Sequence, residues 1–174
     1  MIDAFLFKRG MRRLAAGVFV ITTVEQDVPH GFVATAVSSI SAEPEPSLLV
    51  CVNRSSSSHD VIQRTGLFCA NLLSSQDVEL ARRFSSPQDR ARRFEGCEWV
   101  PLVTGAPALP SALASFDCEI ADIVSVHSHS IFIGTVRDLR LWSDDIEPLL
   151  YFDGRYETLL SGTNKPQLTE SATS

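Results

Sequence analysis

The 174-residue chain carries no apolar run long enough to span a bilayer, and its first residues lack the apolar core of a secretion signal. It also lacks an excess of positive charge: 15 Lys and Arg against 21 Asp and Glu leave a formal net charge of −6. That balance excludes a broadly basic face, so no nucleic-acid partner is expected. The four cysteines, Cys51, Cys69, Cys97 and Cys118, show no CxxC spacing. Cys51, Cys69 and Cys118 lie in apolar, strand-like runs, which reads as reduced, mostly buried thiols in a cytoplasmic protein without membrane attachment. There is no internal repeat, no metal-ligand cluster and no Ser-His-Asp order, so neither a catalytic nucleophile nor a metal centre is expected.

What is present is ordinary for a soluble globular domain: 44% hydrophobic and 21% charged residues in a length that suits a single core. Asp3 is a plausible N-cap for a helix reaching Ala16, with Phe7, Met11 and Leu14 at helical spacing and Gly17 as its stop. Val18 to Val24 is a β-branched run that predicts a strand buried on both faces. Leu67 to Leu73 and Phe116 to Ile120 read as further strands, as do Ser130 to Val136, Leu139 to Leu141 and Pro148 to Tyr156. A helix capped by Ser74 or Ser75 carries Val78, Leu80, Ala81 and Phe84 inward, and a Pro- and Gly-rich loop follows to Ser111. The basic cluster of Arg82, Arg83 and Arg90 to Arg93 alternates with Asp89 and Glu95, the pattern of a solvated helix face. Six or seven strands with two to three helices predict a mainly β fold, closed or partly closed into a barrel that hides its edges. Residues 1–160 form one domain in this reading, and 161–174, nearly devoid of apolar residues, form a disordered tail.

The chain is organised around Gly31 to Ser41 and the following run Ser47 to His59. The first is rich in Ala, Thr and Ser, whose small side chains leave backbone N–H and C=O groups accessible to a flat polar ligand. The second ends in Ser55-Ser56-Ser57-Ser58, directly before a short apolar run stopped by Gly66. Hydroxyls and free amides at a helix start suit a phosphate, although a hairpin followed by a capped surface helix explains the same residues.

Taken in order and spacing, these landmarks resemble the flavin reductase family, the small NAD(P)H:flavin oxidoreductase components of two-component monooxygenases. The resemblance rests on Met11 to Thr23, Gly31 to Ser41, Cys51 to His59, Arg93-Phe94-Glu95-Gly96, His129 to Gly134 and Leu150 to Tyr156. It implies a Greek-key, FMN-binding split β-barrel that acts as a homodimer and delivers reduced flavin to a separate flavin-dependent oxygenase. FMN or FAD would lie along Val33, Ala34, Thr35 and Ala36, near Ser38 and Ser39. Asn53, Arg54, Ser55, Ser56 and Ser58 would hold ribityl and phosphate, with Phe84 and Phe94 closing over the ring. NADH or NADPH would approach His129, Tyr151, Arg155 and Tyr156. The chain departs from the family pattern at two places: His127-Ser128 stands where Gly-Asp is common, and Val33 where a hydroxyl residue is common. These departures keep a non-catalytic flavin carrier or sensor as the alternative.

Overall fold

The computed structural model describes residues 2–159, so the tail expected at 161–174 lies outside the described residues. The main sheet has seven strands in the order β3-β2-β6-β9-β10-β5-β4. These are β2 (Phe19–Glu25), β3 (Val28–Ala34), β4 (Val37–Ser41), β5 (Ser47–Asn53), β6 (Leu67–Leu72), β9 (Ala114–Val126) and β10 (His129–Leu141). Its two edges, β3 and β4, are consecutive in the chain and separated only by Thr35 and Ala36. A sheet whose opposite edges are joined by so short a link must curl back on itself, which makes it a barrel. The β4–β5 ladder reaches into this link, where Ala36 O accepts a hydrogen bond from Cys51 N at 2.9 Å. The run from Gly31 to Ser41 is therefore split between two strands that bend at Thr35-Ala36. Small side chains allow the bend, and closure of the sheet requires it.

The barrel interior is filled by Ile21, Val50, Val52, Phe68, Cys118 and Phe132, all fully or almost fully buried. A second cluster outside the sheet joins Val18, Val20, Leu80, Phe84, Leu109 and Leu149. Strand β2 contributes to both, Ile21 inward and Val20 outward, as its unbroken β-branched run predicted.

The first helix is shorter than expected. α1 spans Ala4–Met11 with Asp3 accepting from Phe5 N, and it buries none of its residues. Ala16–Gly17 forms β1 and pairs with β11 (Leu149–Phe152), which turns through Asp153-Gly154 into β12 (Arg155–Thr158). The strand pairing of Ala16 and Gly17 outcompetes a helical ending that no burial would support. α2 (His59–Thr65) ends at Gly66, whose φ of +71° is the left-handed cap its position called for. α3 (Val78–Ser85) follows a 3-10 turn in which Asp77 Oδ2 accepts from both Ser74 N and Ser74 Oγ.

The long loop before β9 is fastened down. It holds a short pair of strands, β7 (Val100–Pro101) and β8 (Pro107–Ala108). Thr22 Oγ1 donates to Pro107 O at 2.5 Å, and Leu109 N donates to Asn71 Oδ1 at 2.8 Å. The same Asn71 oxygen accepts from Ser115 Oγ, which in turn accepts from Trp142 Nε1. This buried polar network makes the loop a wall of the fold. No helix among the described residues is long and apolar enough to cross a membrane.

Candidate functional site

Strand β3 is an edge, paired only with β2, so one side of its backbone is left open. That open side forms one wall of a cleft of about 570 Å³, a volume within the ~300–1,000 Å³ range of small-molecule sites. Phe32, Val33, Ala34, Thr35 and Ala36 line this wall. Asn53, Ser55, Ser56 and Ser57 of the serine loop also line the cleft, together with Cys51, His129, Phe84, Ser85, Pro87, Arg90 and Arg93.

The serine loop is pre-shaped by its own bonds. Asn53 Oδ1 accepts from Ser55 N and Ser55 Oγ, both at 2.9 Å, and Ser56 Oγ accepts from Ser58 N at 3.4 Å. Arg54 N donates to Ser128 O at 2.9 Å, tying the loop to the β9–β10 turn. Asn53 and Ser55 are exposed, so the loop presents polar groups to the cleft without a desolvation cost.

The expected residues divide. Val33, Ala34, Thr35, Ala36, Asn53, Ser55, Ser56, Phe84 and His129 share the cleft. Arg54 and Ser58 are not in its lining, and Ser58 is buried behind the loop. Ser38 and Ser39 lie beyond the bend on β4, beside an apolar slot lined by Phe19, Leu48, Phe116 and Val136. Phe94 faces a neighbouring cleft; it stacks with Phe84 at 5.2 Å and Trp99 at 5.0 Å. Tyr151, Arg155 and Tyr156 line a third hollow that meets the first only along Val33, Ala34, Thr35 and Ser85. His129 and the two tyrosines thus line different hollows. Burial holds the Tyr156 hydroxyl above its ordinary pKa.

His127 does not share a strand face with His129. It sits in the turn with a φ of +49°, a left-handed conformation that explains why glycine suits this position. His129 opens β10, and its Nδ1 lies 2.9 Å from Ser128 Oγ.

Three features escaped the sequence reading. Arg93 is not a solvated cation: it is 8% exposed and donates from Nη1 to Gly31 O at 2.7 Å. Burial first, and the charge of Arg90 second, lower its pKa from the ordinary value. The alternation with acidic residues concealed this, since Arg82 and Arg92 do pair with Glu79 and Glu95. Cys51 was read as a core thiol but borders the cleft. His59, nearly buried, hydrogen-bonds Ser130 Oγ at 2.9 Å through Nε2 and Asp60 Oδ1 at 2.7 Å through Nδ1. The order Ser-His-Asp is absent from the chain, but the contact exists in space. Neither His59 nor Ser130 lines the cleft, so the trio is a clasp between α2 and β10.

A split barrel with an open-edged strand facing a serine loop defines a class of binder for flat, phosphate-bearing ligands. The sequence family described as "Flavin reductase like domain" matches residues 11–160, and the chain belongs to that family. It is 39% identical over 154 residues to a protein of Pantoea ananatis named FMN reductase (NADH) RutF, covering 88% of this chain and 80% of that one. Among solved structures, it resembles a nitrilotriacetate monooxygenase component B homolog from Mycobacterium thermoresistibile, with a TM-score of 0.87 and 30% identity, covering 94% and 90% of the two chains. It also resembles the NADH:FAD oxidoreductase SgcE6 of Streptomyces globisporus C-1027, with a TM-score of 0.85 and 26% identity, over 93% and 96% of the chains.

Proposed function

We propose that the protein is an NADH-dependent flavin reductase that accepts FMN and passes reduced flavin to a separate oxygenase component. The observation that carries this reading is the cleft itself, lined by the open edge of β3 at Val33 and Ala34, by the link Thr35-Ala36 and by the serine loop. The residues fit a flavin. Edge N–H and C=O groups match the alternating donors and acceptors of an isoalloxazine rim, and the small side chains of Ala34 and Ala36 permit close approach. Ser56 and Ser57 offer hydroxyl donors and Asn53 its side-chain amide to a ribityl phosphate, and Arg90 supplies positive charge in the same cleft.

A flavin held along the β3 edge and the serine loop would supply the redox chemistry, as acceptor of a hydride from NADH. The chain's own residues position and shield. Phe32 and Phe84 line the cleft with apolar rings, and the open edge of β3 runs along it. His129, half-exposed at the cleft's rim, can donate a hydrogen bond to a carboxamide or a phosphate of the incoming dinucleotide. No side chain has to gain or lose a proton at a reacting carbon, so the rate depends on geometry.

The name of the Pantoea relative supports FMN and NADH, and the name of the Mycobacterium structure supports an oxygenase partner. A homodimer is supported by α1, which leaves Phe5, Leu6 and Phe7 exposed. Four free cysteines suit a reducing cytoplasm. The test is anaerobic mixing of the purified protein with FMN and NADH. Bleaching of the flavin absorbance with matching loss of NADH supports the reading. Flavin binding without bleaching would replace it with a carrier.

A further inference from the structure

The serine loop is pinned to the start of β10 at both of its ends. At its entry Arg54 N donates to Ser128 O at 2.9 Å, and at its exit the His59 ring meets Ser130 Oγ at 2.9 Å through Nε2. Between these anchors lies His129, which lines the cleft and stands opposite Asn53 in the β5–β10 ladder. Successive strand residues point to opposite faces, so Ser130 is buried while His129 reaches the cleft.

The exit anchor is buried. His59 is 3% exposed and Ser130 2%, and the imidazole packs against Phe132 with ring centroids 5.3 Å apart. A buried polar ring is costly unless its nitrogens are satisfied, and here both are, since Nδ1 lies 2.7 Å from Asp60 Oδ1. The Asp60 carboxyl is held below its ordinary pKa, first by this hydrogen bond from His59. A carboxylate only accepts, so Nδ1 carries the proton of that bond. Nε2 of the neutral ring is then the acceptor, and the Ser130 hydroxyl donates to it. The donor order is that of a hydrolase triad, but neither His59 nor Ser130 lines the cleft. Orientation is the role left to them.

His59 reaches the ligand side through its backbone. Its amide donates to Ser56 O at 3.1 Å, and Ser56 N donates to Asn53 O at 2.9 Å. Ser56 and Asn53 both line the cleft. A shift of the His59 ring is therefore passed to Ser56 with no flexible side chain between them.

We propose that His59 is a positioning residue for the flavin phosphate: gripped by Ser130, it fixes Ser56 against β10 and sets the spacing between the serine loop and His129. The proposal rests on the flavin reductase reading and deepens it, because that spacing separates the phosphate end of the site from the incoming dinucleotide.

The test uses Ser130→Ala, His59→Leu and His59→Gln, with FMN as probe. Ser130→Ala removes only a hydroxyl, His59→Leu fills the space without a hydrogen-bonding atom, and His59→Gln keeps a polar group within reach of Ser130. Calorimetry should show FMN binding weakened about tenfold by the first two and restored to within about twofold of wild type by the third. Because His59 acts through Ser56, the loss should largely vanish in a Ser56→Ala background, where the phosphate contact is already gone. Leu102→Ala, in the apolar cluster with Ala106 and Ala108, is the stability control: it should lower Tm and leave the Kd for FMN unchanged. Unchanged FMN affinity in Ser130→Ala, a His59→Gln no tighter than His59→Leu, or losses that add in full to that of Ser56→Ala overturns the proposal. Should His59→Leu fail to fold, Ser130→Ala decides alone. Amide exchange in the ligand-free protein needs no flavin: the Ser56 and His59 amides should exchange faster in Ser130→Ala than in wild type, and equal rates also overturn the proposal. A wild type that binds no FMN sinks the reductase reading separately, and the exchange rates still decide the role of His59 in the loop.

Discussion

Single residues of the cleft carry separable roles. Ser56 lines it, whereas Ser58 is buried and only shapes the loop. A hydrogen bond to a charged phosphate is worth about 1.5–3 kcal/mol, so Ser56→Ala should weaken FMN binding roughly tenfold or more and Ser58→Ala should leave it nearly unchanged. Fluorescence titration of the two variants checks this, and equal effects would remove the phosphate from the serine loop. His129→Ala should raise KM for NADH several-fold while the Kd for FMN barely moves. His127→Gly is its control: the turn already holds φ at +49°, so glycine relieves the backbone and leaves both constants unchanged. Asp117 gives a pH signature of its own. Burial raises its pKa, and hydrogen bonds from the Thr104 hydroxyl and amide offset only part of that. Between the ordinary and the raised value the folded state keeps a proton that the unfolded chain has released, so this group lowers stability as pH rises through that window. Asp117→Asn should flatten that part of a Tm-against-pH profile.

At the scale of elements, the sequence is most informative where burial and periodicity agree. The runs giving β2, β5 and β6 are apolar on both faces, and the capped α2 and α3 announce their ends with Ser58, Gly66 and Ser74. Legibility failed where the deciding contact is distant in sequence. Nothing local marks Ala16–Gly17 as a strand, because its partner is Tyr151 and Leu150 far down the chain. Nothing local splits Gly31 to Ser41, because the bend at Thr35-Ala36 is imposed by barrel closure. The cleft was half legible for the same reason. The β3 wall and the serine loop show in composition, whereas Arg90 and Arg93 sit among acidic neighbours and reveal themselves only by lining the folded cleft. Gly31 does have a readable cause in three dimensions. A Cβ there would lie 2.8 Å from Ile21 O and 2.9 Å from Phe84 Cε1. Gly31→Ala should therefore cost about 1–3 kcal/mol by overpacking, measured by urea unfolding, while an alanine at the open position of Gly10 should not destabilise.

For the molecule as a whole, the position of the seam ties ligand to fold. Val33 to Ala36 are the last residues of one sheet edge and the link to the other, so β3 and β4 are neighbours along the chain yet stand at opposite ends of the seven-stranded order. A flat ring lying on these four residues would act as a clasp on the closed cylinder. Edge strands are where a barrel opens first, through local fluctuations well below global unfolding. Occupancy of the cleft should damp that breathing, so amide exchange should slow on β3 and β4 together, and a ligand at one hundred times its Kd adds about 2.7 kcal/mol to the folded state. A chain that meets its flavin only in passing would then alternate between a looser and a firmer barrel once in every turnover.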